Sequence, residues 1–177
     1  MEIRKKKINV RTVVIMGLMI AMQIILTRFL SIQAWNIKIG FGFVPIVITA
    51  IALGPLEAGI TAGIADFLGT IMFPIGPYFP GFTLTAVAMG ITWGIFLNKK
   101  MTLPRIVGAC AVNNFVFSLF LNTLWISILY GSPYMVLIPT RVMQAALLFC
   151  VDAMIITILR EVLFKRIKVL FENPLVS

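Results

Sequence analysis

The sequence contains no histidine, and only six of its 177 residues are acidic. Histidine is the commonest proton shuttle and metal ligand, so its absence removes the usual general base and the usual metal site. The two cysteines, Cys110 and Cys150, both fall inside apolar segments, which argues against a disulfide framework. The motifs of P-loop nucleotidases, zinc proteases and serine hydrolases are also missing. We therefore expect no enzymatic activity, no metal and no cofactor bound by this chain.

Charged residues make up only 12% of the chain, whereas 60% of the residues are hydrophobic and the mean hydropathy is +1.06. Soluble domains are about a quarter charged, so this composition indicates an integral membrane protein. A bilayer core takes roughly 20 apolar residues per helix. The sequence thus predicts an all-α bundle of six transmembrane helices forming one domain over residues 1–177. The expected spans are approximately 11–30, 39–53, 56–72, 83–97, 104–130 and 139–164.

The basic residues, which give a net charge of +9, cluster at the ends of the apolar runs. With six spans, all of them fall on one side of the membrane except Arg28, Lys38 and Arg141. Because basic loops stay in the cytoplasm, both termini are expected there. The same rule explains the positive charge without nucleic acid, which we do not expect as a partner.

Residues 73–82 interrupt the apolar runs with three prolines, two glycines and four aromatic residues. Proline fixes φ and lacks a backbone donor, so this decapeptide is predicted to be a rigid, non-helical loop. In the predicted topology it lies on the outer side, together with the aromatic residues of two neighbouring loops. These aromatic side chains either anchor the protein at the membrane interface or form the wall of a site for a planar, anionic molecule.

Several polar residues fall inside the spans, where a charge costs at least about 2.5–3.5 kcal/mol and needs a reason. Arg28 and Arg141 either snorkel to the outer interface or converge on the carboxylates of a substrate. Asp66 either pairs with an arginine or accepts hydrogen bonds from a donor-rich ring edge. Asp152 is expected to form a structural ion pair or a bond between helices.

Asn114, Ser118, Asn122 and Trp125 follow one another at helical spacing along the fifth span. Such a stripe either supplies ordinary interhelical hydrogen bonds or lines a cavity. In the first span, Gly17 and Ala21 form a small-xxx-small pair that allows another helix to approach closely. This pair serves either packing within the chain or docking of another subunit.

Taken together, these segments resemble the substrate-binding S components of energy-coupling factor (ECF) vitamin transporters, and within that group the folate-specific S components. The resemblance extends over nearly the whole chain and is specific as far as Arg141; the last helix beyond it is less familiar. The matching segments are residues 28–33, 35–36, 38–45, 65–69, 73–86, 122–125, 130–131 and 139–141.

The resemblance implies a protein of the bacterial plasma membrane that captures folate outside the cell with high affinity. It further implies docking on a membrane coupling subunit that carries two ATP-binding-cassette ATPases, which use ATP and magnesium. Gly17 and Ala21 stand where such proteins usually show Ala-x-x-x-Ala for docking on the coupling subunit.

By chemistry, aromatic side chains would stack on the rings of folate, cations would meet its carboxylates, and polar side chains would meet the edge of its pterin. The residues do not fix which polar group meets which end of the ligand. The candidates for stacking on the rings are Trp35, Phe73, Tyr78, Phe79 and Trp125. The candidates for contacts with the carboxylates are Arg28, Lys38 and Arg141. The candidates for the pterin edge are Gln33, Asn36, Asn114 and Asn122, with Asp66 as a further candidate.

Two other interpretations stay open at this point. An S component for riboflavin or another flat heterocyclic vitamin would also use the aromatic residues, although flavin has no carboxylates for the arginines. Alternatively, the chain is a structural or regulatory membrane subunit that binds no solute.

Overall fold

The computed structural model describes residues 9–33 and 38–172, with side chains for residues 9–31 and 40–161. Except for one short hairpin, the described chain is a succession of helices. In chain order the elements are α1 (Val10–Arg28), β1 (Ser31–Gln33), β2 (Lys38–Gly40), α2 (Phe43–Ala52), α3 (Pro55–Met72), α4 (Pro80–Leu97), α5 (Leu103–Ala111), a π-helical segment (Val112–Asn122), α6 (Thr123–Tyr130) and α7 (Tyr134–Glu172).

Among the described residues, four helical stretches are long and apolar enough to cross a membrane: Val10–Arg28, Pro80–Leu97, Leu103–Tyr130 and Tyr134–Glu161. Large apolar side chains lie exposed on their surfaces, for example Val10, Val14 and Leu18 on α1. In water such a surface would be unfavourable, whereas lipid tails solvate it. The chain is therefore a helical membrane protein.

Helices α3 and α4 pack closely because glycines stand at their contact. A Cβ atom at Gly90 would lie 2.6 Å from the Ala58 backbone oxygen, and one at Gly94 would overlap the backbone of Pro55. From the other helix, a Cβ at Gly59 would lie 2.6 Å from Ile91 Cγ1. The two backbones therefore approach as closely as only glycine allows.

The hydrophobic core continues from this pair toward α2, α5 and α7. Trp93 and Leu97 at the end of α4 are fully buried and belong to the same cluster as the other helices' apolar side chains. Those side chains are Ile46, Val47, Ala50, Ala58, Ala62, Met101, Ile106, Ala109, Cys110 and Ile156.

Strands β1 and β2 pair antiparallel, with Ser31 opposite Gly40 and Gln33 opposite Lys38. Most of this hairpin lies between the first two expected spans, and α2 begins at Phe43, four residues after the expected start of the second span at residue 39. A Cβ at Gly42 would meet the Thr27 hydroxyl, so the start of α2 lies directly against the end of α1.

The prediction that residues 73–82 contain no helix is wrong for the last three of them. Helix α4 begins at Pro80, and Gly81 is buried within its first turn. Proline suits this position because the first turn of a helix needs no backbone donor and its φ is already helical. The non-helical loop is thus shortened to residues 73–79.

Candidate functional site

A cavity of about 140 Å³ lies where the β1–β2 hairpin meets the helices. Its lining combines the apolar residues Phe43, Met89 and Leu148 with polar residues. Residues from α1, the hairpin, α2, α4, the π-helical segment and α7 contribute, so most of the fold is needed to form it. The remaining lining residues are Thr27, Ser31, Gly40, Gly42, Asn114, Ser118 and Asp152.

Asn114 and Asp152 form the strongest polar feature of this wall. Asn114 Nδ2 donates a hydrogen bond of 2.9 Å to Asp152 Oδ2 and another of 3.1 Å to the Cys110 carbonyl. Asp152 is only 5% exposed, and its second oxygen, Oδ1, has no hydrogen-bond partner among the described residues. A buried acceptor without a partner costs about 1–3 kcal/mol.

Asp152 was expected to join two helices, and its bond to Asn114 confirms that expectation. Sequence reasoning missed its second property, a place on the cavity wall. The signal was available, because a carboxyl group in the middle of an apolar span calls for a functional interpretation by default.

The predicted stripe along the fifth span is divided in the structure. Asn114 and Ser118 lie on the cavity wall, but Trp125 donates a 2.9 Å hydrogen bond from Nε1 to the Thr85 hydroxyl. Asn122 Oδ1 is buried and has no partner among the described residues. The reason for the division is the π-helical segment, whose i to i+5 bonding shifts the register on which the predicted stripe relied.

Arg28, Asp66 and Tyr78 are brought together by two threonines. Arg28 Nη2 donates to the Thr70 hydroxyl at 2.7 Å, and that hydroxyl donates to the Asp66 carbonyl at 2.8 Å. The Thr83 hydroxyl donates to Asp66 Oδ2 at 2.9 Å and lies 3.4 Å from the Tyr78 hydroxyl. Thr70 thus links the Arg28 guanidinium to the Asp66 backbone carbonyl, whereas the Asp66 carboxyl group is bound by Thr83.

The Arg28 side chain also keeps an unused donor. Its Nε is buried and lacks a hydrogen-bond partner among the described residues. Gly69 leaves the space for this guanidinium, since a Cβ there would lie 3.3 Å from Nε. A further acceptor, such as a ligand carboxylate, would satisfy Nε.

The aromatic side chains of the loop at residues 73–79 pack against rings of the helices. Phe79 lies 5.6 Å from Trp125 between ring centroids, with a tilt of 43°. Phe73 meets Phe29 edge-on at 5.2 Å, and Tyr78 has a similar contact with a ring of α3. These contacts fix the loop against α1, α3 and α6.

Arg141 lies in α7 and is only 6% exposed. Its Nη1 donates a 3.0 Å hydrogen bond to Gln144 Oε1, whereas its Nε is buried without a partner in the described part of the chain. A snorkelling arginine would extend its guanidinium into the interface. The burial therefore argues against snorkelling for this residue.

The predicted docking pair lies on the exposed surface of α1, in contrast to the buried Arg141. Gly17 and Ala21 are both exposed, and a Cβ at Gly17 would meet nothing within 4 Å among the described atoms. Within α1 only Gln23 is buried. Packing among the described residues therefore leaves this small-residue pair uncovered.

The structure thus joins Arg28 with Asp66 and Tyr78 in one group, and Phe79 with Trp125 in a second. Asn114 belongs to the cavity, and the described contacts of Arg141 and Phe73 lie outside these groups. Gln33 and Lys38 are described only as backbone in the hairpin, and Trp35 and Asn36 lie outside the described residues.

The family model described as "ECF transporter, substrate-specific component" matches residues 11–160. The chain is 42% identical over 152 residues to a protein named folate transporter FolT from Clostridium novyi. The matched region covers 85% of this chain and 87% of that protein. A protein of the same name from Leuconostoc mesenteroides subsp. mesenteroides is 25% identical over 150 residues, covering 81% and 80%.

Among solved structures, the fold is similar to a crystal structure of FolT bound with folic acid. The TM-score is 0.79 and the sequence identity 31%, over 82% of this chain and 91% of the other. The family match covers most of the sequence and confirms the resemblance that the sequence motifs indicated. The chain therefore belongs to the family of substrate-specific components of ECF transporters.

Proposed function

We propose that this protein captures folate at the outer face of the bacterial plasma membrane and delivers it to an ECF complex. The observation that carries the proposal is the likeness in sequence and fold to a protein whose crystal structure holds folic acid. That likeness amounts to 31% sequence identity over 82% of this chain.

The chemistry of the described residues supports the same ligand. Folate combines flat rings with two carboxylates, and the chain offers both aromatic walls and buried guanidinium groups. Arg28 and Arg141 each retain a buried Nε without a partner among the described residues, which would suit ligand carboxylates. Riboflavin, the nearest alternative, has no carboxylate and leaves both donors unexplained.

The size of the cavity limits how the ligand is held. Pockets that enclose a whole drug-sized ligand measure about 300–1,000 Å³. A cavity of about 140 Å³ holds only part of folate, so the remainder must lie outside it or the pocket must widen on binding. The loop at residues 73–79, in contact with α1, α3 and α6, is the segment we propose as the outer wall over the ligand.

The predicted site residues with described side chains retain their proposed roles. Phe73, Tyr78, Phe79 and Trp125 are proposed for contacts with the rings, and Asn114, Asn122 and Asp66 for polar contacts. Gln33, Trp35, Asn36 and Lys38 stay predictions from the sequence.

The proposed topology has six spans in one domain, with both termini in the cytoplasm and the hairpin at the outer face. The distribution of basic residues supports it, since Arg28, Lys38 and Arg141 alone would lie outside. The short helix Phe43–Ala52 and helix Pro55–Met72 would then complete the set of spans.

The proposed partners are a transmembrane coupling subunit and two ATP-binding-cassette ATPases. The exposed face at Gly17 and Ala21 is the proposed contact with the coupling subunit. ATP and magnesium would bind the ATPases, and this chain would bind no cofactor of its own and catalyse no reaction.

Calorimetry on the purified protein in detergent, with folate, riboflavin, biotin and pantothenate, tests the proposal. We expect folate to bind with a Kd well below about 1 μM, equivalent to more than about 8 kcal/mol of binding free energy. The other three vitamins should give no measurable heat at the same concentrations. Binding of riboflavin in place of folate would change the substrate, and no binding of any of the four would favour a structural subunit.

A further inference from the structure

Three cationic side chains stand close together where α4 passes into α5. Lys99, Lys100 and Arg105 are all exposed, and we call them the basic cluster. Within the part of the chain that the structure describes, none of the three has an acidic side chain as its ion-pair partner. The carboxyl group of Glu57 lies instead beside Gly54, where an added Cβ atom would be 3.2 Å from Oε2. The basic cluster therefore carries three positive charges that no described residue neutralises.

The connection that carries the two lysines is held at both ends. Asn98 Nδ2 donates a 3.2 Å hydrogen bond to the Ala50 carbonyl, which ties the start of the connection to α2. Met101 is only 5% exposed and belongs to the hydrophobic core. Lys99 and Lys100 lie between these two fixed points. The anchors therefore keep the lysines at one place relative to the helices.

The helices on either side of the basic cluster expose apolar side chains. Ile95 lies on α4 just before it, and Leu103 and Val107 lie on the first two turns of α5. In a membrane protein such side chains contact lipid tails. Cations beside an apolar surface match a phospholipid, which carries a phosphate on one end and acyl chains on the other. Free phosphate would use the cations alone.

The proposed topology places the basic cluster at the cytoplasmic leaflet. Anionic lipids of that leaflet attract basic residues, and each Lys or Arg near the surface strengthens the attraction about fivefold. The preference of basic loops for the cytoplasm accounts for the side on which the cations lie. It does not account for their fixed position, without an acidic partner, next to apolar side chains that face the lipid.

We propose that the basic cluster binds the headgroup of an anionic phospholipid, with an acyl chain lying along Leu103 and Val107. The bound lipid fastens the junction of α4 and α5 to the cytoplasmic leaflet. This inference goes beyond the proposed function and does not depend on which solute the protein binds.

Native mass spectrometry of the detergent-purified protein tests the inference, because it counts bound lipid molecules. The probes are phosphatidylglycerol, which is anionic, and phosphatidylcholine of the same acyl chains, which is zwitterionic. The proteins are the unaltered chain, the triple variant Lys99→Gln, Lys100→Gln and Arg105→Gln, and the control Lys165→Gln, Arg166→Gln and Lys168→Gln. The control removes the same number of positive charges further along α7, on the same predicted side of the membrane.

We expect the unaltered chain and the control to bind phosphatidylglycerol about ten- to a hundredfold more tightly than phosphatidylcholine. The triple variant should bind the two lipids about equally. Equal affinity of the unaltered chain for both lipids would overturn the inference. An equal loss of preference in the control would also overturn it, since net charge and not the basic cluster would then be responsible.

A further measurement distinguishes a lipid from free phosphate. Glycerol 3-phosphate carries the phosphate without acyl chains, so at millimolar concentration it should leave phosphatidylglycerol bound to the unaltered chain. Its complete displacement of the lipid would overturn a lipid as the occupant. These measurements on the unaltered chain need no variant, so they decide the inference even if the triple variant does not fold. Absence of folate binding would overturn the proposed function alone.

Discussion

Small residues four apart occur on two surfaces of this molecule, in opposite surroundings. On α3 and α4, Gly59, Gly90 and Gly94 are buried, and added Cβ atoms would meet the neighbouring helix. On α1, Gly17 and Ala21 are exposed, and the space beside Gly17 is open to at least 4 Å among the described atoms. The same sequence pattern thus closes an interface within the chain in one place and leaves a free face in the other.

A small-xxx-small pair therefore indicates close helix packing but does not identify the partner. In α3 and α4 the partner is the adjacent helix of the same chain. For α1, the exposed pair agrees with the proposed docking of a coupling subunit. Substitutions on both surfaces test whether the two pairs differ in this way.

The largest effect is expected from a bulky residue at the internal contact. Gly94→Leu would drive a side chain into the backbone of Pro55, where no flexible atom can give way. We expect a loss of about 3 kcal/mol or more, seen as little monodisperse protein in size-exclusion chromatography. Gly17→Leu is the matched control and should give a normal yield; equal loss in both variants would remove the distinction between the surfaces.

A smaller but still decisive effect is expected at the exposed face. Ala21→Trp should abolish folate uptake by cells that contain the full ECF complex, while the purified variant keeps its folate affinity. The reason is steric, since indole would hold a partner helix away from a face built of small residues. Met22→Trp serves as control, because the next residue points about 100° further around the helix. Undiminished uptake by Ala21→Trp would contradict docking through this face.

The smallest effects come from the same mild change on both surfaces. Gly90→Ala would place its methyl 2.6 Å from the Ala58 oxygen, which is backbone, and should destabilise by about 1–3 kcal/mol. Gly17→Ala meets nothing and should stabilise by about 1 kcal/mol through better helix propensity. Thermal midpoints in detergent should therefore move in opposite directions, and shifts of the same sign would contradict the account.

Much of the helical framework could be predicted from the lengths of the apolar runs. Turns that contain proline, glycine or charged residues separate the apolar runs. Hydropathy averaged over a window as long as a helix therefore locates each run. The ends of the helices are harder to predict. The sequence predicts Pro80 within a loop, whereas Pro80 opens α4, because proline is compatible both with the end of one helix and with the first turn of the next.

The site could be predicted only in part, for two reasons. The helical register changes at the π-helical segment, and some paired residues lie far apart along the chain. The π-helical segment shifts Trp125 toward Phe79 and Thr85, and the sequence carries no simple signal for that bonding pattern. The pairing of Asn114 with Asp152 joins residues 38 positions apart. The sequence predicts a bond between helices for Asp152, but it does not show that Asn114 is the partner.

The most direct test of the account is the position of folate in a structure of this protein with the ligand bound. We predict that part of the folate molecule enters the cavity lined by Phe43, Met89 and Leu148. Its carboxylates should lie against the guanidinium group of Arg28 or Arg141. A folate molecule bound elsewhere, or with its carboxylates away from both arginines, would contradict the account.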